Sequence, residues 1–216
     1  MNQNIVAGNY YIPHVQHELE RAAGFEYFID LDLTNAFHQI ALGKSTSEKL
    51  SVATPFGLKR PIYMPEGITP ASGILQRTVM NIFSDFADWT IALFDNLLIL
   101  CNGMDDGLVK LQKIIDRCYE RNVVLKFSKS WIGFEEVKFF GYRVVSGRYK
   151  LEEDRKQAVL DSPMPKNAKG MQRFLEVGLF FNEFIPDYAS TASKLYDMIK
   201  PTFNWNTSTW TEDYEA

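Results

Sequence analysis

The stretch Leu93-Phe94-Asp95-Asn96-Leu97-Leu98-Ile99 places two oxygen-bearing side chains in the middle of an otherwise apolar segment. Apolar runs on both sides of a short polar turn are typical of paired strands, so we expect a hairpin over residues 90–100 with Asp95 and Asn96 at its bend. An ordinary β-turn, in which Asp and Asn only tolerate the turn geometry, would give the same local pattern.

A second acidic segment, Phe28-Ile29-Asp30-Leu31-Asp32-Leu33, lies upstream of a loop rich in glycine and proline and of a helix. Its apolar residues indicate a buried strand that ends near Asp32. The order of strand, helix, hairpin, helix and further strands predicts an α+β fold, an antiparallel sheet with helices on one face. In that fold the Asp32 and Asp95 carboxylates could converge, as a divalent-cation site for phosphoryl transfer requires.

Composition excludes several classes of protein. The chain has 216 residues, of which 46% are hydrophobic, enough for the core of one domain or slightly more. It lacks an apolar run long enough to span a membrane and a secretion signal at its start, so we expect neither membrane insertion nor secretion. The net charge of −4 argues against a simple basic nucleic-acid-binding module. Two cysteines, Cys101 and Cys118, indicate reduced, buried thiols in an intracellular protein.

Periodicity predicts the remaining elements. Helices are expected over residues 15–22, after Thr69 and Pro70, and from Asp105 onward. The last of these should bury one face, formed by Leu108, Leu111, Ile115 and Cys118. Strand patterns cover residues 25–31, 37–42, 50–54, 58–64, 131–134, 137–140, 143–145 and 149–151.

The composition changes after Asp161, where the proline-containing stretch Ser-Pro-Met-Pro-Lys-Asn at residues 162–167 indicates a linker. Apolar residues follow at helical spacing, among them Met171 and Leu175. We therefore divide the chain into a larger α+β unit, residues 1–161, and a small helical unit, residues 162–216.

Other common sites are not indicated. His14 and His17 are three residues apart on a predicted helix and Glu18 follows, but no further ligand completes a metal set, so surface or packing roles are preferred. The sequence has neither a P-loop nor a nucleophile elbow.

An ordered set of motifs resembles the reverse transcriptase domain of gypsy-type LTR-retrotransposon polyproteins. The matching stretches are residues 31–40 around Asp32, 54–58, 64–72, 93–96, 139–142, 163–175 and 184–186. The resemblance covers nearly the whole chain, and it is the order of the motifs, more than any single one, that makes it specific.

The resemblance implies the palm of a right-hand polymerase with partial fingers in residues 1–161, and a small helical thumb with the start of the connection segment in residues 162–216. The implied activity is that of an RNA-directed DNA polymerase, which adds deoxynucleotides to a primer 3′-hydroxyl by two-metal phosphoryl transfer. Asp32 and Asp95 match the metal-binding aspartates, Asn96 stands beside them, and two Mg²⁺ ions, or Mn²⁺, are the implied cofactors.

Further site residues are implied by the same resemblance. Phe37 matches the aromatic gate that excludes a ribose 2′-hydroxyl, although a lone Phe is more often a core residue. The implied substrate site also includes Leu33, Glu66 and Gly67; Phe140 and Gly141 match the primer grip; and Lys129 matches a proton donor to pyrophosphate. A solvated lysine would explain Lys129 equally, and Asp30 is interpreted as a partly solvated strand residue.

Asn96 departs from the family, because most relatives have a second aspartate at this position. An amide oxygen can coordinate a cation but contributes no charge, so the inner site would hold two formal negative charges instead of three. We therefore expect weaker Mg²⁺ binding and a shift toward Mn²⁺.

The implied partners are an RNA or DNA template with its primer, deoxynucleoside triphosphates, and the remaining polyprotein domains: upstream fingers, RNase H and integrase. We expect the chain to be a fragment of such a polyprotein or a gene cut from one, located in the cytoplasm, in retroelement particles or in the nucleus. Two alternatives remain open. One is an impaired or domesticated palm that binds nucleic acid or a protein, and the other is an unrelated ferredoxin-like domain.

Overall fold

The computed structural model describes residues 5, 8 and 10–205, and its contacts divide the chain into two compact units, Met1–Lys150 and Leu151–Ala216. The division therefore falls before helix α5 (Glu153–Leu160), whereas the change in composition places it after that helix, at Asp161. Part of the predicted fingers, at residues 1–4, 6–7 and 9, and the end of the predicted connection segment, residues 206–216, lie outside the described residues. Within the described part, no helix is both long enough and apolar enough to cross a membrane.

A four-stranded sheet is the centre of the first unit. Its strands are β1 (Tyr27–Asp32), β4 (Thr90–Leu93), β5 (Asn96–Cys101) and β6 (Trp131–Phe134). Their order is β4-β5-β1-β6, and each neighbouring pair is antiparallel. The predicted hairpin and its neighbouring acidic strand are therefore confirmed as adjacent, paired elements of one antiparallel sheet.

Alternation along the strands decides which side chains share a face of the sheet. Successive side chains of a strand point to opposite faces, so Ile29 and Leu31 share one face and Asp30 and Asp32 share the other. Three helices belong to the same unit: α1 (Val15–Ala23), α3 (Ala71–Ile82) and α4 (Met104–Arg121). The main core is built from the apolar face of the sheet with α3 and α4, and includes Ile29, Leu31, Leu75, Val79, Leu97, Ile99, Ile114 and Cys118.

Two smaller sheets complete the unit. Strands β2 (Val52–Thr54) and β3 (Gly57–Lys59) form a hairpin preceded by the short helix α2 (Lys44–Lys49), which the sequence patterns did not predict. Strands β7 (Glu136–Phe139), β8 (Tyr142–Val145) and β9 (Arg148–Leu151) form a meander in the order β7-β8-β9. These three strands match the predicted ones to within a residue or two.

The second unit is helical, as predicted. Besides α5 it contains α6 (Ala168–Phe180) and α7 (Tyr188–Asp197). Met171 and Leu175 of α6 pack with Ala192, Leu195 and Met198 in a separate small core. The Asn167 side chain caps α6, because its Oδ1 accepts a hydrogen bond from the Gly170 N–H at 2.8 Å.

Three local predictions are corrected. The predicted alternation over residues 37–42 is instead a 3₁₀ turn, Ala36–Gln39, because Asn35 adopts a left-handed conformation with φ of 43° and ends the extended run. On α4 the buried face contains Gly107, Ile114 and Cys118, and Leu108 is 55% exposed, so the face is rotated by one residue from the predicted one. The hairpin turn consists of Phe94 and Asp95, because Asn96 already pairs with Leu93.

Candidate active site

The strand register brings the acidic segments together. Asp32, the last residue of β1, pairs directly with Asn96, the first residue of β5. Asp95 is the second residue of the two-residue turn and comes immediately before Asn96. Phe94, the other turn residue, has φ of 53°, a conformation that is uncommon for an aromatic residue and found mostly where the surroundings impose it. The oxygen-bearing side chains of Asp32, Asp95 and Asn96 are therefore concentrated at one end of two paired strands.

Backbone hydrogen bonds hold this end of the sheet. The Leu33 N–H donates to the Asp95 carbonyl oxygen at 2.7 Å, and the Lys126 N–H donates to the Asp32 carbonyl oxygen at 2.7 Å. A third bond, 2.9 Å long, runs from the Thr34 N–H to the Val124 carbonyl. The backbones of both aspartates are thus anchored while their side chains remain available.

The available donor atoms suit a hard divalent cation. Asp32 and Asn96 are partly exposed and Asp95 is exposed, and none of the three side chains makes a hydrogen bond or ion pair to another described residue. Carboxylate and amide oxygens are the ligands that Mg²⁺ and Mn²⁺ take in proteins, usually together with water and substrate oxygens. The chemistry of the donor set therefore fits the two-metal group that the resemblance implies.

The described residues contain no group of three or more His, Cys, Asp or Glu side chains placed to hold a metal ion, and the strand-end cluster has two carboxylates and one amide. The His14 and His17 rings lie next to each other, with centroids 5.4 Å apart, and Glu18 pairs with Arg21 at 2.8 Å. These contacts agree with the surface and packing roles expected for the histidine pair.

Phe37 is half-buried at the edge of the main core, in the 3₁₀ turn that follows β1. The Gln39 side chain fastens this turn to the segment after α4: its Nε2 donates to the Thr34 carbonyl at 2.5 Å and to the Val124 carbonyl at 3.0 Å, and its Oε1 accepts from the Val124 N–H at 2.8 Å. The backbone that carries the Phe37 ring is therefore held in place, and the side chain remains partly exposed.

Leu33 and Lys129 occupy different environments. The Leu33 side chain is 5% exposed and belongs to the main core, so the structure does not present it to a substrate; its N–H is the group that holds Asp95. Lys129 is exposed at the end of the 3₁₀ turn Phe127–Lys129, three residues after Lys126, whose N–H is bonded to Asp32. Its side chain makes no hydrogen bond or ion pair to another described residue.

Glu66 and Gly67 are both exposed in the loop before α3. Gly67 has φ of 80°, and a Cβ built at this position would meet no atom within 4 Å. The glycine is therefore required by the backbone conformation and leaves open space in front of it, where another molecule could approach the chain closely.

The β7–β8 hairpin ends in a two-residue turn, Phe140-Gly141, between the paired residues Phe139 and Tyr142. Both turn residues have positive φ, 51° for Phe140 and 84° for Gly141, as in the type I′ turns that suit hairpins. The Phe140 ring lies 6.3 Å from the Phe94 ring, centroid to centroid. The tip of the predicted primer grip thus contacts the turn that carries Asp95.

Asp30 lies on the same face of the sheet as Asp32 and lines a cavity of about 590 Å³ with Tyr27, Trp131 and Phe134. Its Oδ1 is buried without a hydrogen-bond partner among the described residues. Burial, reinforced by the nearby Asp32 charge, raises the pKa of Asp30 to about 6. Asp30 is thus partly exposed, as expected, but one of its carboxyl oxygens is buried and has no partner among the described residues.

This raised pKa predicts an unusual pH dependence of stability. A carboxyl whose folded pKa exceeds its unfolded value binds protons more tightly in the folded state, so its contribution is favourable at low pH and is lost as pH rises through about 6. We expect Asp30→Asn to raise the free energy of unfolding by about 2 kcal/mol at pH 7.5, and by much less at pH 4.5, without divalent cations. Urea denaturation at the two pH values measures this, and an equal effect at both would contradict it.

Sequence patterns missed two glutamines, Gln39 and Gln76, that organise the site through their side-chain amides. Gln76 had a detectable signal, because it lies within the buried stripe of α3 beside Leu75 and Val79. A polar residue inside an apolar stripe requires buried hydrogen-bond partners. Gln39 had no such signal, since it lies in a segment whose conformation was itself predicted incorrectly.

Comparisons with known proteins bear on this geometry. Residues 2–144 match the family model described as reverse transcriptase (RNA-dependent DNA polymerase). The Pol polyprotein of transposon opus from Drosophila melanogaster is 26% identical over 93% of this chain and 20% of its own length. The Tf2-7 transposon polyprotein of Schizosaccharomyces pombe is 24% identical over 98% of this chain and 16% of its own length. The chain therefore spans about a fifth or less of these relatives.

The fold is also that of a solved polymerase. A foamy viral protease-reverse transcriptase in complex with double-stranded DNA aligns with 99% of this chain and 38% of its own, with a TM-score of 0.87 and 18% identity. A second structure of a foamy viral protease-reverse transcriptase, with an RNA/DNA hybrid, aligns with a TM-score of 0.80. The resemblance to gypsy-type retrotransposon enzymes and the α+β palm fold are thereby confirmed, and the chain belongs to the reverse transcriptase (RNA-dependent DNA polymerase) family.

Proposed function

We propose that this chain is the polymerase core of a retrotransposon reverse transcriptase, which extends a primer 3′-hydroxyl with deoxynucleotides on an RNA or DNA template. The observation that carries the proposal is the pairing of Asp32 with Asn96 beside the Asp95 turn, with all three side chains unbonded to any residue that the structure describes. Family membership gives this cluster of oxygen ligands its chemical meaning.

Asp32 and Asp95 would hold two Mg²⁺ ions, or Mn²⁺, with the Asn96 amide oxygen as a neutral neighbour. When bound, the ions activate the primer hydroxyl and stabilise the charge that develops on the leaving pyrophosphate. The residues of the chain supply position: the backbone bonds from Leu33 and Lys126 keep the two carboxylates at fixed places, so little reorganisation is needed during the reaction.

The groups around the carboxylates would bind the substrates. The open space before Gly67 would accommodate the incoming nucleotide, and the Phe140-Gly141 turn would hold the primer end next to the Asp95 turn.

The relatives are polyproteins several times longer, so we also propose that further domains act with this one: upstream fingers, RNase H and integrase. Such a protein would work in the cytoplasm, within retroelement particles, or in the nucleus. The finer division into palm with partial fingers and thumb is part of the same proposal.

Phe37 is proposed to select deoxynucleotides, because its partly exposed ring follows Asp32 by five residues, in a turn held by the Gln39 side chain. Replacing it with valine should raise the efficiency of ribonucleotide incorporation relative to deoxynucleotide incorporation by about tenfold, since a smaller side chain no longer blocks the 2′-hydroxyl. Single-nucleotide insertion kinetics with dGTP and GTP measure this ratio.

Phe86→Val is a matched control for this prediction. Phe86 also packs against the main core, but its ring contacts Trp89 at a centroid distance of 4.9 Å and is not part of the proposed site. An unchanged ratio in Phe37→Val, or an equal change in Phe86→Val, would show that Phe37 only packs.

The proposed function is tested by primer extension with the full 216-residue chain on an RNA template and a DNA primer, in Mg²⁺ and separately in Mn²⁺. Template-dependent extension in either metal supports the proposal. No extension in either metal, with a duplex bound by the same preparation, would show that the chain binds nucleic acid without polymerising it.

A further inference from the structure

Gln76 of α3 is a fully buried polar residue, with 0% of its surface exposed, in a helix face otherwise formed by small and apolar residues. Burying a primary amide is costly unless both its oxygen and its nitrogen find partners. The partners of Gln76 therefore show what the residue is for.

Both ends of the Gln76 amide are bonded to strand β4 and the turn that follows it. Its Nε2 donates to the Ala92 carbonyl at 2.8 Å, and its Oε1 accepts from the Phe94 N–H at 2.8 Å. Strand β4 is at the edge of the sheet, where backbone groups lack a neighbouring strand. The Gln76 amide thus replaces one peptide group of the missing strand.

The hydrogen bond between Gln76 and the Phe94 N–H acts directly beside Asp95. Phe94 has φ of 53° and immediately precedes Asp95, so the bond to its N–H acts on the strained residue that directs the aspartate. On the other side of the turn, the Leu33 N–H holds the Asp95 carbonyl at 2.7 Å. Asp95 is therefore fixed from both sides, by Gln76 through its neighbour and by Leu33 directly.

We propose that Gln76 is a positioning residue that sets the orientation of Asp95 for cation binding. This inference rests on the proposed function, because it takes Asp95 to be a cation ligand. Gln76 itself touches neither the cations nor the substrates: it acts through the Phe94 peptide. Loss of the amide leaves the Phe94 N–H and the Ala92 carbonyl unpaired, and the turn then relaxes toward negative φ and carries Asp95 with it.

Amide hydrogen exchange measured by NMR tests the contact without any reaction. In the unmodified chain we expect the Phe94 N–H to be protected far more than an ordinary exposed turn amide. In Gln76→Met, which conserves length and apolar volume but cannot hydrogen-bond, the Phe94 N–H should exchange at least about tenfold faster. Gln76→Glu keeps the acceptor, and its protonated carboxyl can also donate to the Ala92 carbonyl, so it should retain much of the protection at low pH.

Val79→Ala provides the matched control. Val79 lies on the same helix and in the same core, and its apolar side chain takes no part in the Gln76–Phe94 hydrogen bond, so its truncation lowers stability without removing that bond. It should raise exchange evenly across the sheet, whereas Gln76→Met should raise it most at Phe94 and Leu33.

Binding of Mn²⁺, followed by the loss of the free-ion EPR signal, tests the consequence for the cation site. The Mn²⁺ concentration for half-saturation should rise about tenfold in Gln76→Met, and much less in Gln76→Glu and Val79→Ala. Rapid exchange of Phe94 in the unmodified chain, or equal Mn²⁺ binding in Gln76→Met and Val79→Ala, would overturn the inference. Neither measurement requires extension, so failure of the proposed polymerase activity is seen separately.

Discussion

Replacing Asp95 or Asp32 with asparagine should reduce primer extension by at least about a thousandfold, with folding and duplex binding retained. Each substitution removes one of only two formal negative charges at the strand ends, because Asn96 contributes none. The amide has nearly the same shape as the carboxylate, and neither side chain holds another described residue, so little stability should be lost. Primer extension and thermal unfolding of each variant measure the two effects.

Asp88→Asn is the control for charge alone, because Asp88 is exposed in the loop before β4 and lies outside the proposed site. It should extend primers as well as the unmodified chain. If Asp95→Asn retained a tenth or more of the activity, the strand-end cluster would not be the cation site, and the proposed function would need another one.

Asn96→Asp should have the opposite effect and strengthen the use of Mg²⁺. Asn96 is paired with Asp32 and follows Asp95, so a carboxylate here adds a third charge to the same end of the sheet. We expect the Mg²⁺ concentration for half-maximal extension to fall by about tenfold, which corresponds to about 1.4 kcal/mol, and the advantage of Mn²⁺ over Mg²⁺ to shrink.

The control is Asn81→Asp, which adds the same charge at an exposed position of α3. Metal titrations of the extension rate for both variants decide the matter. An unchanged Mg²⁺ requirement in Asn96→Asp would mean that the amide already coordinates as well as a carboxylate, and the charge-deficit hypothesis would then be wrong.

Much of the sheet could be predicted from the sequence because its signals are local. The hairpin around Asp95 is bounded by apolar runs, and the β7–β8 turn carries Gly141, so alternation and turn chemistry indicated both elements. The adjacency of the Asp32 strand end and the Asp95 hairpin was expected from the order of the elements. The pairing of Asp32 with Asn96 required the structure, since no local pattern indicates which residue of β1 faces which residue of β5.

Two local features that depend on tertiary contacts, the 3₁₀ turn after β1 and the buried face of α4, could not be predicted from the sequence. The polar residues Thr34 and Asn35 interrupt an apolar pattern that reads as a strand, yet the Gln39 amide bonds to Val124 stabilise a 3₁₀ turn there. On α4 the covered face is set by where the helix meets the sheet: Gly107 lies against Cys101 and Ile29, and a Cβ at Gly107 would lie 3.2 Å from the Cys101 sulfur. This close approach rotates the buried face away from Leu108.

The pairing of β1 with β5 also has a consequence for how the protein acquires its activity. Strands β1 and β5 are joined by six paired positions, of which Asp32 with Asn96 is one. An intervening chain of roughly sixty residues must be closed before the first pair can form. Contacts of such high sequence separation are slow to form and arise together with the rest of the sheet. The cation site is therefore a product of global folding, and a partly folded chain, whatever helices it already contains, has no catalytic centre.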